Sequence, residues 1–403
     1  MRILLLSRHA GPHIGGTEAF ITQFFELTRN IDNLHIEAVL LLPPEGRYPQ
    51  LPPRVRITYV DAPTLFALLW RFKEGTSLVA NALLLPVTSL RLALRGFWVT
   101  KREAVDLIYA VGGPIALAAG VVLKHLTGLP LAVHFHTLRR DAAARGLRRY
   151  IIFSLYSQVD ALIGNCEAFR TDAIAIGIDP HKCHAVWNWV DSSEFAPRSD
   201  RAELRRSLQL KMGQTAFLYA GRLEAWKQAD RIISALEQFN DPRAVFYFAG
   251  DGEFRADLDR LASKNSNVRV LGFRDKTELQ TLYNACDFLL WGSVDIDYPS
   301  LVIMEAMICG LPVITAKTTM NPLYPDERVQ AAAFGYPKYV SLFDSSSAGI
   351  LCGIQRAIDQ REHYKFMRAE ISQYARRVFG TRNAAKLLKI LRSLCEEATQ
   401  DAL

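Results

Sequence analysis

Short apolar runs recur along the chain, each followed by a loop of small and polar residues and then by a stretch with helical spacing. Runs at 3–7, 37–41, 55–59, 106–111, 131–137 and 161–165 occupy the first half. Runs at 215–219, 245–248, 268–271, 288–291 and 313–315 occupy the second. Continuous apolar runs bounded by turn signals, alternating with helical segments, predict buried parallel strands joined by crossover helices. The pattern predicts an α/β chain with two doubly wound, Rossmann-like halves. Residues 195–200, Phe-Ala-Pro-Arg-Ser-Asp, read as the linker between them.

One stretch breaks the rhythm. Residues 62–102 carry Leu65, Phe66, Leu68, Leu69, Trp70 and Phe72, then Leu90, Leu92, Leu94, Phe97 and Trp98, interleaved with Arg71, Lys73, Arg91, Arg95, Lys101 and Arg102. Apolar side chains mixed with cations suit a helix lying in an anionic membrane interface. An ordinary core-facing helical pair with solvated charges is the alternative.

The densest chemistry lies at 297–312, between the apolar runs 288–291 and 313–315. A helix is predicted over 302–309 and ends at Gly310-Leu311-Pro312. Free N–H groups at its start, near Ser300, Leu301 and Val302, can bind phosphate. Asp297 and Glu305 flank that start. Carboxylates repel phosphate, so they are better suited to accept hydrogen bonds from sugar or ribose hydroxyls. Earlier, Gly221 ends the 215–219 run and lets Arg222 and Lys227 turn toward one crevice, where two cations can neutralise a diphosphate. Ala249-Gly250-Asp251-Gly252 makes a turn before the next helix. Phe273, beside Arg274, can stack on a base. In the first half Gly15 and Gly16 sit in a loop, 11–18, where backbone can approach a ligand, although the spacing is not that of a dinucleotide fingerprint. The run 131–137 ends in His134 and His136, and His136 is the candidate site histidine at a strand's carboxyl end.

Totals change this picture little. At 403 residues two domains are expected, and half the residues are hydrophobic, as in a globular protein. A net charge of +7 suits an anionic ligand or surface. The six cysteines show no C-x-x-C pair and read as reduced thiols in a cytoplasmic protein. Residues 1–6 read as a first strand rather than a signal segment, and no apolar run reaches the roughly 18 residues of a membrane span. His134-x-His136 and Asp295-x-Asp297 lack further ligands at metal spacing, so no metal is expected.

Gly-Gly-Thr-Glu at 15–18, His136, Asn188-x-Val190-Asp191, Gly221-Arg222-Leu223 with Lys227, Ala249-Gly250-Asp251-Gly252, and Glu305-Ala306-Met307 with Gly310-Leu311-Pro312 stand in one order. Together they resemble the retaining GT-B glycosyltransferases of family 4. The resemblance implies two Rossmann-like domains facing across a cleft. They would comprise an acceptor-side domain over 1–195, a nucleotide-sugar domain over 196–378, and a helix over 379–403 returning to the first. It implies a hexosyltransferase that needs no metal or cofactor. Its nucleotide-sugar donor would be UDP- or GDP-linked and its acceptor a glycan, a lipid-linked sugar or a small molecule. Nucleic acid is not expected, and a cytoplasmic location, with or without peripheral attachment to a membrane, is.

By position, His136, Arg222, Lys227 and Asp297 would serve the reacting sugar and diphosphate. Gly15, Gly16, Asn188, Gly221, Asp251, Phe273, Arg274, Ser300, Leu301, Val302 and Glu305 would bind substrate. Two features depart from the family. Asp297 stands where a glutamate is usual, and residues 315–324 lack the usual glycine pair. Two alternatives therefore remain: a sugar-nucleotide-binding protein with a decayed site, and a sugar-nucleotide epimerase of the same fold.

Overall fold

The computed structural model describes residues 1–8, 16–41, 51–61, 78–135, 146–292, 300–316 and 339–401. The chain divides into two compact units, Met1–Asn188 with Asn383–Leu403, and Trp189–Arg382. His136, Asp297, Gly15 and residues 62–77 lie outside the described residues.

In the first unit the described strands are β1 (Arg2–Ser7), β2 (His35–Leu41), β3 (Val55–Val60), β4 (Leu107–Val111), β5 (Leu131–Phe135), β6 (Ala161–Gly164) and β7 (Cys183–Ala185). They form one sheet in the order β3-β2-β1-β4-β5-β6-β7, every neighbouring pair parallel. β1, β4 and β5 are buried along almost their whole length, as strands covered on both faces require. The helices are α1 (Gly16–Asn30), α2 (Leu78–Arg102), α3 (Pro114–Thr127), α4 (Gly146–Ser157) and α5 (Glu167–Ala175). α1 begins at Gly16, so Gly16, Thr17 and Glu18 belong to its first turn and not to the expected loop. Glu18 there favours the positive end of the helix dipole.

The described part of 62–102 is a single helix, α2, with Pro86 inside it. Gly96 lets it lie close to the sheet. A Cβ there would stand 2.9 Å from the Leu123 side chain of α3 and 3.4 Å from those of Leu4 and Leu6 in β1.

The second unit holds β8 (Thr215–Ala220), β9 (Ala244–Ala249), β10 (Val268–Gly272), β11 (Phe288–Trp291), β12 (Val313–Ala316) and β13 (Val340–Phe343), ordered β10-β9-β8-β11-β12-β13. Again all neighbours are parallel. Its helices are α6 (Arg201–Ser207), α7 (Ala229–Glu237), α8 (Arg255–Lys264), α9 (Lys276–Ala285), α10 (Leu301–Ile308), α11 (Ser347–Asp359) and α12 (Arg361–Phe379). α9 starts on a capping box, the Asp275 side chain accepting from Glu278 N–H while the Glu278 carboxylate accepts from Asp275 N–H. α13 (Arg382–Asp401) returns the chain to the first unit, where Lys386 Nζ donates to Ala185 O.

The strand order reverses between β8 and β11, the switch point at which a parallel sheet opens a crevice at the strands' carboxyl ends. Asp287 fixes that junction from below. Its carboxylate, 5% exposed, meets Arg201 at 2.7 Å, Arg205 at 2.9 Å and Arg361 at 3.5 Å. It also accepts from the backbone N–H of Ala216 at 2.8 Å. One carboxylate thereby joins α6, β8, β11 and α12.

Although burial alone would raise the Asp287 pKa, the arginines hold it below the ordinary carboxylate value. Its contribution to stability is thus complete above that range and is lost as pH falls through the depressed value. Asp287→Ala would leave buried cations unopposed, so we expect a loss of about 3–5 kcal/mol in urea denaturation at pH 7. A loss below 1 kcal/mol would show the cluster to be incidental.

Candidate functional site

At the end of β8 the backbone of Gly221 takes φ +145°, and its N–H donates to Ala249 O at 2.9 Å. Gly250 N–H donates in turn to Gly272 O at 2.8 Å, so the ends of β8, β9 and β10 are stitched together by main chain. The approach leaves no space for side chains. A Cβ on Gly250 would fall 1.9 Å from Gly221 O, and one on Gly252 2.6 Å from Leu223 O. Tyr219 OH donates to Arg222 O at 2.8 Å, and Leu223 N–H to Asp251 O at 2.9 Å, which fixes the loop that follows.

That loop presents two cations with different surroundings. Arg222 is half exposed and pairs with Glu224 at 2.9 Å, and Glu224 also accepts from the Trp226 indole N–H. Lys227 is enclosed. Its ammonium lies 4.6 Å from the centre of the Trp291 ring and 5.0 Å from that of Trp226. A Cβ on Gly221 would come within 2.9 Å of it. Among the described residues no carboxylate or carbonyl hydrogen-bonds to this ammonium. Burial, reinforced by the Arg222 charge, lowers its pKa to about 8. Gln228 follows in the left-handed region, φ +53°, and caps α7; its amide is buried with neither atom hydrogen-bonded.

Across the switch point, β11 ends in Trp291 and α10 starts after Ser300. Ser300 is the N-cap residue, yet its Oγ is buried, finds no partner among the described residues and makes no cap bond. Ile303 and Met304 N–H donate to Ser300 O, while those of Leu301 and Val302 reach no acceptor among the described residues. One turn later Glu305 accepts a 2.9 Å hydrogen bond from Tyr283 OH of α9. Burial pushes the Glu305 carboxyl up to about 7 despite that bond.

The remaining expected residues lie nearby in sequence order but differ in freedom. The Asp251 carboxylate is exposed and accepts from Gly252 N–H at 2.8 Å. Phe273 is 60% exposed, available for stacking. Arg274 is tied back to Glu278 at 2.7 Å and to Leu271 O at 2.7 Å. In the first unit, Asn188 is buried with its Oδ1 bonded to none of the described residues, as is Asn165 after β6. His134 is buried, its Nδ1 2.7 Å from Tyr109 OH, and belongs to the core beneath the strand end.

The structure thus assembles Gly221, Arg222, Lys227, Ser300, Leu301, Val302 and Glu305 on adjoining strand ends of one unit. Sequence reasoning missed Trp226, Trp291, Glu224, Gln228 and Tyr283. Trp291 alone carried a signal, as an aromatic closing the apolar run just before the loop. The others depend on contacts between separate elements or on a backbone conformation that composition does not reveal. Chemically, these residues offer a partly desolvated ammonium, a guanidinium and a helix start, with one carboxylate that has acceptor capacity to spare.

Family models match both units. One described as "Glycosyl transferases group 1" covers residues 200–334, and one described as "Glycosyl transferase 4-like domain" covers residues 20–189. The chain is similar to sulfoquinovosyl transferase SQD2 of Arabidopsis thaliana, 25% identical over 258 residues, which are 61% of this chain and 49% of that protein. It is also similar to D-inositol 3-phosphate glycosyltransferase of Mycobacterium sp. (strain KMS), 28% identical over 229 residues, 53% of this chain and 52% of that one. The chain therefore spans about half the length of the curated relatives it matches.

Among solved structures it is similar to Anabaena HepE in complex with UDP and glucose, with TM-score 0.69 and 20% identity over 97% of this chain and 99% of that one. Sucrose-phosphate synthase from Thermosynechococcus elongatus superposes with TM-score 0.73 and 17% identity over 98% of each. These likenesses identify the fold as GT-B, two Rossmann-like parallel-sheet domains.

The enclosure of Lys227 is open to direct measurement. Competitive acylation of the whole chain, read by mass spectrometry, is expected to give Lys227 a midpoint near 8, below the ordinary lysine value. A midpoint at the ordinary lysine value would mean that water reaches the ammonium freely.

Proposed function

This chain belongs to the group 1 glycosyl transferases, and we propose that it moves a sugar from a nucleoside-diphosphate sugar to a hydroxyl of a glycan, lipid-linked or small-molecule acceptor, with retention of configuration. The observation that carries the reading is the Lys227 ammonium, held between Trp226 and Trp291 and hydrogen-bonded by no carboxylate among the described residues, in the unit that also carries the start of α10. A diphosphate supplies the counter-charge this group lacks. The complex of the similar HepE with UDP and glucose supports a uridine donor.

In the proposed reaction the bond between the anomeric carbon and the phosphate oxygen breaks, and its electron pair goes to that oxygen. Lys227, Arg222 and the N–H groups of Leu301 and Val302 meet the growing negative charge, so they bind the transition state more tightly than the ground state. The acceptor hydroxyl adds from the same face and its proton passes to the departing phosphate oxygen. Glu305 accepts hydrogen bonds from the ribose hydroxyls, Phe273 stacks on the base, and Asp251 and Gly221 line the diphosphate. Asp297, His136 and Gly15 are proposed to touch the transferred sugar and acceptor, with Gly16 and Asn188 on the acceptor side. All six cysteines are free, which supports a cytoplasmic setting. No metal is required on this reading.

A thermal-shift panel of UDP, GDP, ADP and their sugars tests it. One base is expected to give a saturable shift that EDTA leaves unchanged, and no shift with any of them would sink the reading. The pH dependence has a defined sign. Ribose hydroxyls favour the ionised Glu305 carboxylate, so donor affinity should rise with pH up to about 7. Diphosphate favours the charged Lys227, so affinity should fall above about 8. Glu305→Gln should flatten the acid limb alone. Lys227→Met should remove the alkaline limb and lower kcat/KM by about 2–4 kcal/mol of transition-state stabilisation. Near-parental turnover in Lys227→Met would refute its role at the leaving group.

A further inference from the structure

α2 has two faces that are decided by its packing. Thr88, Ser89, Leu92, Ala93 and Gly96 are buried toward the sheet and α3. On the opposite face Val87 is 47% exposed, Leu90 51%, Leu94 47% and Trp98 58%. Their spacing of three or four residues makes one continuous apolar stripe along the helix. Arg91, Arg95 and Arg102 repeat at helical spacing along one edge of that stripe, and Lys101 closes its end, its ammonium 5.1 Å from the centre of the Phe97 ring. Arg95 and Arg102 pair with no carboxylate among the described residues, whereas Glu103, one residue on, is taken up by Arg2 and Arg56. Between the two arginines lies an open pocket of about 340 Å³ lined by Thr58 of β3, Arg95, Trp98, Val99 and Arg102.

An exposed apolar stripe is costly in water, and unopposed cations beside it repel one another. A core-facing partner would remove the first cost and worsen the second by burying charge. A surface that is apolar inside and anionic at its rim answers both. We propose that this face of α2 docks on an anionic phospholipid bilayer, with Leu90, Leu94 and Trp98 entering the acyl boundary and a lipid phosphate seated between Arg95 and Arg102. The shallow burial expected of such a helix matches a single stripe rather than an all-round apolar surface. The Trp98 ring, apolar with one polar N–H, suits the depth of the headgroups. The inference rests on this helix face and not on the sugar-transfer reading.

The test is co-sedimentation of the full chain with vesicles of phosphatidylcholine alone and of phosphatidylcholine mixed with phosphatidylglycerol. Binding is expected to the mixed vesicles, to weaken as salt rises, and to be unaffected by inorganic phosphate, which distinguishes a bilayer from a free anion. Arg95→Glu with Arg102→Glu should lower partitioning by roughly tenfold or more, since each surface cation contributes about fivefold. Trp98→Ala should lower it several-fold at unchanged thermal midpoint. Bromine-labelled lipid should quench the indole emission of the parent chain and not that of Trp98→Ala. Equal binding to both vesicle types, no binding at low salt, or an unchanged arginine double variant would each overturn the proposal. So would a concentration-dependent dimer abolished by Trp98→Ala without vesicle binding, which would assign the stripe to a second copy of the chain.

Discussion

The candidate site depends on one ammonium group partly withdrawn from water, to which no carboxylate among the described residues hydrogen-bonds. Two indole faces give Lys227 a weak substitute for solvent, and each such contact supplies a fraction of what hydration would. The rest of the balance is left open, and the depressed pKa is its measure. Such a group is unfavourable for folding and, on the proposed reading, favourable for binding, because an arriving diphosphate would gain a partner already partly stripped of its water. Glu224 makes the arrangement possible by taking up Arg222, so that the loop carries one neutralised and one waiting cation. Were Glu224 to reach Lys227 instead, the same residues would form an ordinary ion pair.

Holding that geometry requires rigidity in the strand ends. The main-chain bonds from Gly221 to Ala249 and from Gly250 to Gly272 leave room for glycine alone, so the loop cannot drift from the sheet. Asp287 acts on the opposite side of the same junction. Its arginine partners sit on segments far apart in the chain, and Arg368 adds hydrogen bonds to carbonyls of Tyr283, Asn284, Cys286 and Cys309. Those residues flank β11 and end α10. Charge burial of this kind is weak evidence for net stability, but it does fix which elements meet. Trp291 and Glu305 are displayed from elements that it anchors.

Much of this was legible in the sequence, and for a physical reason. A strand buried on both faces must be apolar throughout, so the parallel strands stand out. The glycine turn before Arg222 and the helix start after Ser300 follow from backbone requirements that few residues meet. Contacts between elements are another matter. Nothing in the spacing couples Tyr283 to Glu305, or Asp287 to Arg361, because each pair meets through the folding of the sheet. α1 started earlier than expected because Gly16 and Thr17, which read as loop, are tolerated in a first turn where N–H groups are unpaired in any case. For α2 the composition left two readings open, and the structure adds the exposure of each face. One face is core and the other, apolar and cationic together, is not.

Four of the places where local rules are broken follow strand ends. Gln228 adopts a left-handed backbone that glycine would adopt at less cost, and buries an amide with no partner. Ser300 occupies an N-cap position without capping. Asn165 and Asn188 each bury a carbonyl oxygen that no described residue hydrogen-bonds. Every one of these residues follows a strand at its carboxyl end, two in each unit. Thr88 and Ser89 show that such orphans also occur elsewhere, on the buried face of α2. A sheet optimised for stability would have filled the strand-end positions with glycine, a bonded serine and apolar side chains. On the proposed reading, such positions are what a binding surface costs a parallel α/β fold: polar groups desolvated in advance of a substrate rich in hydroxyls and phosphate oxygens.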